Sequence, residues 1–222
     1  NIDSDKIRKT TLRDLFDKQR EVLESSRHNP SSLFGIPTGI KKFDDLSGGL
    51  RKQETILVVA PTGVGKSLFL MSYGLHASLL GFSVVYCTIE MPSEQIALRT
   101  YSNISNIDYQ KFRMAQLSDI EMSEWDKAMS SYFKNIEISN GKPMLIIDFP
   151  KGCSTNQILT EVSQIREEGS KVDLLLVDYM NIMNTNSGKF CSFDWEAQIE
   201  LSIELKRLAR DQDFALATAA QA

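Results

Sequence analysis

Short, nearly unbroken apolar runs alternate along this chain with longer segments in which apolar residues recur every three or four positions. Buried strands and amphipathic helices are therefore expected to follow one another. The strand candidates are Thr55-Ile56-Leu57-Val58-Val59, residues 83–89, Met144-Leu145-Ile146-Ile147-Asp148, Val172-Asp173-Leu174-Leu175-Leu176-Val177-Asp178 and residues 214–218. Helices are expected at 68–80, stopped by Gly81, across 93–133, from the cap Ser154-Thr155-Asn156-Gln157 to about 168, and at 195–211. In the last of these Ile199, Ile203, Leu205 and Leu208 should face the sheet. Arg99, Arg113, Glu121, Glu124 and Asp126 read as a solvated face with no site. Ile136-Glu137-Ile138, just before Asn140-Gly141, reads as a short hairpin partner to the third strand. The alternation as a whole predicts an α/β domain with a mainly parallel central sheet flanked by helices.

Ahead of this domain, Ile7, Leu12, Leu15, Phe16, Val22 and Leu23 recur at helical spacing over residues 6–27. A polar run with Pro30 at 26–32 separates that helix from two turn-rich pieces, Phe34-Gly35-Ile36-Pro37-Thr38-Gly39 and Phe43-Asp44-Asp45-Leu46-Ser47-Gly48-Gly49-Leu50. The boundary is placed at 1–32 for helix and linker and 33–222 for the α/β domain. The helix either folds back on its own domain or docks on a neighbouring subunit, and its residues leave both open.

Composition narrows the classes. With 222 residues, 42% of them hydrophobic and 24% charged, the chain can bury one sizeable core. A formal net charge of −4 gives no global basic field, so any nucleic-acid contact must be local. Three cysteines, Cys87, Cys153 and Cys191, lack metal-ligand spacing and fit reduced thiols without chemistry. No apolar run is long enough to span a bilayer and the first residues do not resemble a signal peptide, so a soluble, cytoplasmic protein with no membrane partner is expected.

The chemistry starts at Ala60-Pro61-Thr62-Gly63-Val64-Gly65-Lys66-Ser67, set between an apolar strand and the helix opened by Leu68-Phe69-Leu70-Met71. Strand, tight loop and helix start are the context of a phosphate-binding loop. Gly63 and Gly65 let successive N–H groups turn inward round a phosphate, and the helix adds the positive end of its dipole. Lys66 can meet the β- and γ-phosphates, and the Ser67 hydroxyl can ligate the Mg²⁺ that bridges them. Ala60 stands where the common pattern has glycine.

Two acids end core strands, where ligands of such sheets bind. Asp178 closes a fully apolar strand and is suited to hold a cation, while Glu90 in Thr88-Ile89-Glu90-Met91-Pro92 can face a γ-phosphate. Gln221, just past the fifth strand, is either a satisfied amide or a group that senses that phosphate. In the polar loop 184–194, expected to be mobile, Lys189 beside Phe190 either marks an ordinary surface or meets a nucleic-acid backbone while the ring stacks a base.

From residue 34 to 221 the chain resembles the motor domain of DnaB-type hexameric replicative helicases. The likeness rests on 39–50, on the 60–67 loop, which in this family often begins with alanine, on Thr88-Ile89-Glu90-Met91-Pro92, on Glu94-Gln95-Ile96 with Arg99, on Asp178-Tyr179-Met180-Asn181-Ile182-Met183 and on Gln221. It implies a RecA-like P-loop NTPase fold preceded by a linker helix that docks on the adjacent subunit. It further implies ATP and Mg²⁺ as ligands, a homo-hexamer, translocation on single-stranded DNA, and primase and helicase loader as partners. Lys66 and Ser67 would bind phosphate and metal, Asp178 would hold the metal through water, Glu90 would activate the attacking water, and Gln221 would couple the γ-phosphate to the DNA loops. Members continue with a second DNA loop and an arginine finger, and many bacterial ones carry an amino-terminal primase-binding domain. The chain is therefore expected to be a fragment or a short, phage-like form that binds ATP·Mg²⁺ and turns it over poorly.

Two alternatives stand beside the helicase. A recombinase of the RecA or RadA type, or a KaiC-like clock ATPase, would share the fold, although the clock enzymes tend to carry paired glutamates where this chain has the single Glu90. A nucleotide-gated loader or regulator would need no base at Glu90.

Overall fold

A computed structural model of the chain describes residues 9–27, 35–192 and 194–221. Ile7, the linker run 28–32, Phe34 and the side chain of Val22 lie outside the described residues. Helix α1 (Leu12–Arg27) begins on a local cap, Thr11 Oγ1 donating to Asp14 Oδ2 at 2.7 Å, and leaves Leu12, Leu15, Phe16 and Leu23 exposed. The turn-rich lead-in contains a short helix, α2 (Lys41–Ser47). Its buried Asp44 accepts hydrogen bonds from the N–H groups of Thr38 and Gly39, while Ile36 and Leu50 form an antiparallel bridge.

Five strands follow: β1 (Thr55–Ala60), β2 (Val84–Thr88), β3 (Leu145–Asp148), β4 (Leu174–Asp178) and β5 (Ala215–Gln221). They pair in parallel in the order β1-β5-β4-β2-β3. Between them run α3 (Lys66–Leu79), α4 (Ser93–Ser105), α5 (Tyr109–Arg113), α6 (Asp119–Ile138), α7 (Thr155–Glu167) and α8 (Trp195–Asp211). Strands β2 and β4 are buried along their whole length because both sheet faces are covered, which is why their sequences read as continuous apolar runs. Val85, Cys87, Leu175 and Val177 join Ile158, Leu201 and Leu205 in one core, and Val84, Tyr86, Leu174 and Leu176 join Leu70, Met71 and Tyr73 in the other. Helix α3 lies close to the sheet. A Cβ added at Gly74 would come within 2.5 Å of Met144 Sδ and 2.8 Å of Leu176 Cδ1.

Strand register brings the carboxyl ends level to within two residues, those of β1 and β5 running that far past the other three. Thr88 stands opposite both Asp148 and Asp178, and Ala60 stands opposite Gln221. Gln221 is thus the last residue of β5, not a residue beyond it, since that strand runs three positions past the expected 218.

Three further expectations are corrected. Residues Ile136-Glu137-Ile138 form no hairpin strand but the last turn of α6, which starts on a capping box between Ser118 and Glu121. Asn140-Gly141 closes that helix: Asn140 takes a left-handed φ of 53°, and the Gly141 N–H donates to Ile136 O at 2.9 Å, as in a Schellman ending. Glu121 is accordingly a capping group that also accepts from Lys111, and not simply part of a solvated face. On α8 the buried stripe is Ala197, Leu201, Leu205 and Leu208, whereas Ile199 and Ile203 are 50% and 62% exposed beside Trp195. The helical period allows only one of the two stripes to face the sheet, and small Ala197 with the leucines occupies it.

Candidate functional site

The loop between β1 and α3 takes the shape its glycines allow. Gly63 has φ 82° and Gly65, the residue that caps α3, has φ 97°, both in the left-handed region that side chains disfavour. Open space surrounds the Gly63 Cβ position, so backbone angle and not crowding demands glycine there. Lys66 folds back over the loop, its Nζ donating to Ala60 O at 2.6 Å and Pro61 O at 2.9 Å. Val64 and Leu68 remain exposed at the rim.

At the second residue of α3, the Ser67 hydroxyl donates to Asp178 Oδ1 at 3.0 Å. The second carboxylate oxygen, Oδ2, accepts from the Tyr86 hydroxyl at 2.6 Å. Asp178 is 1% exposed, and this burial raises its proton affinity above that of an ordinary carboxyl, while the two hydroxyl donors act in the opposite direction. Burial also keeps the Tyr86 phenol protonated far into the alkaline range.

Glu90 follows β2 on a bend tied to its neighbours. The Ile89 N–H donates to Asp178 O at 3.0 Å, and the Thr88 hydroxyl donates to Met91 O. Asp148, ending β3, accepts from the Ser93 N–H at 2.8 Å and so anchors the start of α4. On the other side, the Gln221 N–H donates to Asn181 Oδ1 at 2.8 Å, fixing the end of β5 to the 3₁₀ turn Met180–Ile182.

These elements enclose a cavity of about 530 Å³ lined by Thr62, Gly63, Gly65, Lys66, Ser67, Leu68, Glu90 and Gln221 from the expected set, together with Met91, Arg99 and Tyr179. Arg99 was expected on a solvated face. Instead its Nε is buried without a hydrogen-bond partner and its guanidinium lies 5.3 Å from the Tyr109 ring centroid. The signal for it is present: Arg99 follows buried Ile96 by three residues, the spacing that puts two residues on one side of a helix. Tyr86 was missed because a phenol inside an apolar run reads as core packing.

Lys189 is placed elsewhere, its Nζ 3.4 Å from the Glu200 carboxylate of α8. Its loop is closed by an antiparallel bridge between Asn184 and Phe190 and by Thr185 N–H donating to Lys189 O at 2.9 Å. Asn186 ties the loop to α7 and α8 through Thr155 and Glu204. Phe190 is 41% exposed, with Lys151 Nζ 5.6 Å from its ring centroid. All three cysteines are buried, and burial pushes the Cys153 and Cys191 thiols up to about 11, which leaves them protonated and unreactive near neutral pH. Among the described residues no helix is long and apolar enough to cross a membrane.

The chain as a whole is similar to known proteins. The family described as DnaB-like helicase C terminal domain matches residues 35–222. The Replicative DNA helicase DnaB of Pasteurella multocida is 28% identical over 193 residues, 86% of this chain and 40% of that protein. The Replicative DNA helicase DnaC of Bacillus subtilis is 26% identical over 201 residues, 90% of this chain and 42% of its own. The chain thus spans about two-fifths of the length of these curated relatives. Among solved structures, an ATPase domain superposes with a TM-score of 0.80 at 20% identity, covering 96% of this chain and 72% of that one. A DnaB-like replicative helicase, studied with its primase interactions, gives 0.76 at 19% identity, covering 96% and 49%. The fold is therefore RecA-like, and the chain belongs to the DnaB-like helicase C-terminal domain family.

Proposed function

We propose that this chain is the ATP-hydrolysing motor of a replicative DNA helicase, working on single-stranded DNA within a homo-hexamer. The observation that carries the proposal is the convergence of Lys66, Ser67, Glu90, Arg99 and Gln221 on one cavity at the level ends of a parallel sheet, with Asp178 bonded to Ser67 at its base. ATP is the substrate. Backbone N–H groups from Thr62 to Ser67 and the start of α3 cradle its phosphates, and Lys66 exchanges its two carbonyl partners for phosphate oxygens. The unpartnered Arg99 Nε supports an anionic ligand on the opposite wall.

Ser67 and Asp178 suit Mg²⁺, offering a hydroxyl and a carboxylate that already touch, with phosphate oxygens and water left to complete the shell. When bound, Mg²⁺ neutralises charge on the β- and γ-phosphates. Glu90 accepts a proton from the attacking water, and Gln221 hydrogen-bonds the γ-phosphate and relays its loss through β5. Lys189, with Phe190 and Lys151 beside it, contacts the DNA strand. The exposed Leu12, Leu15, Phe16 and Leu23 of α1 support docking on a neighbouring copy, and primase and a loader complete the expected partners.

The test is ATP turnover by the full-length protein with and without single-stranded DNA, in wild type and Glu90→Gln. DNA should stimulate turnover several-fold, and Glu90→Gln should lower kcat by about 100-fold or more while nucleotide affinity is kept. Hydrolysis indifferent to DNA would favour a clock-type or regulatory ATPase. Undiminished turnover in the variant would move the base to another residue.

A further inference from the structure

Tyr86 occupies a position that packing alone would give to an aliphatic residue. Its ring is 0% exposed within the apolar core beneath α3, between β4 and the helix. It stands opposite Leu176 in the β2–β4 register, and Asp178 lies two residues further along β4 on the same sheet face. That diagonal, about 7 Å between strand positions, is the reach of a phenol. The hydroxyl therefore leaves the core only at its tip, to meet Asp178 Oδ2 at 2.6 Å.

We propose that Tyr86 is a positioning residue for the metal-facing carboxylate: its hydroxyl locks Asp178 by Oδ2 so that Oδ1 is presented to Ser67 and the cation. The inference rests on the phosphate-site assignment above. With Oδ2 engaged from inside the core, the carboxylate cannot rotate without stranding a buried phenol, and Oδ1 stays on the Ser67 side at 3.0 Å. The two donors also divide the work. Ser67 can turn away to a cation, whereas Tyr86, held by the core, cannot follow.

The experiment compares full-length wild type with Tyr86→Phe and with a matched control, Tyr73→Phe. Tyr73 is equally buried and its hydroxyl donates to Ile36 O at 3.0 Å, outside the cavity. Mn²⁺ binding is followed by electron paramagnetic resonance in the presence of ADP, and ADP affinity is measured separately in EDTA. Tyr86→Phe should weaken Mn²⁺ binding about tenfold, the usual size for losing an outer-shell partner. Metal-free ADP affinity should stay at the wild-type value, and Tyr73→Phe should alter neither. Unchanged Mn²⁺ affinity in Tyr86→Phe overturns the inference and leaves the phosphate site standing. Equal weakening in both variants also overturns it, since lost stability would then be the cause. A wild type that binds no Mn²⁺ with ADP removes the phosphate-site assignment and the inference together.

Discussion

Replacing Lys66 by alanine isolates the electrostatic part of the proposed phosphate site. The ammonium donates to Ala60 O and Pro61 O, so meeting a phosphate is an exchange of partners and not a simple gain. A unit charge about 4 Å from a phosphate at an effective dielectric near 20 is worth about 4 kcal/mol. Releasing the two carbonyls costs about 1 kcal/mol each. The net of about 2 kcal/mol corresponds to triphosphate affinity roughly thirtyfold weaker in Lys66→Ala. Calorimetric titration with a non-hydrolysable triphosphate, ADP and AMP at fixed ionic strength provides the assay. The loss should be largest for the triphosphate and absent for AMP, which carries neither phosphate that Lys66 meets. An equal loss for all three would mean that the side chain shapes the loop, and an unchanged triphosphate affinity would refute the exchange outright.

Lys189→Ala should weaken single-stranded DNA binding uniformly across sequences and reduce the salt slope by about one, as loss of one phosphate contact does. An unaltered slope in a filter-binding series would return Lys189 to its Glu200 ion pair alone. Leu201→Ala, in the core, should cost about 3 kcal/mol of unfolding free energy, whereas Ile203→Ala on the outer face of α8 should stay within about 0.5 kcal/mol. Chemical denaturation decides this, and comparable losses would contradict the helix orientation.

The end of the fold that gathers the candidate site is legible in the sequence because it is written in local rules. A glycine loop between strand and helix, and acids that end apolar runs, need no tertiary knowledge to be seen, and strand register then sets them level. What escaped depended on partners remote in sequence. Asn140-Gly141 suits a hairpin and a helix ending equally, and the helix goes with the packing of Tyr132 and Ile136 against Leu75 of α3. Ile199 and Ile203 compete with Ala197 and Leu201 for the sheet, and the apolar pattern alone does not say that Ala197 and Leu201 are the ones buried. Arg99 and Tyr86 carry polar atoms on otherwise apolar faces: the helical spacing from Ile96 hints at where Arg99 points, but its place at the cavity and the bond from Tyr86 to Asp178 emerge only when α4 meets the loop at α3 and when β2 pairs with β4.

The level strand ends have a consequence for how such a gene can change. Side chains alternate sides with every residue, so deleting one residue within β4 would turn Asp178 to the opposite sheet face, while in β2 it would drag Glu90 away from the cavity. The opposite ends of the strands carry no such burden. Evolutionary insertions and deletions, and an engineer's fusions, should therefore gather in the connections that feed the strands from below, leaving the connections that leave them conserved in length.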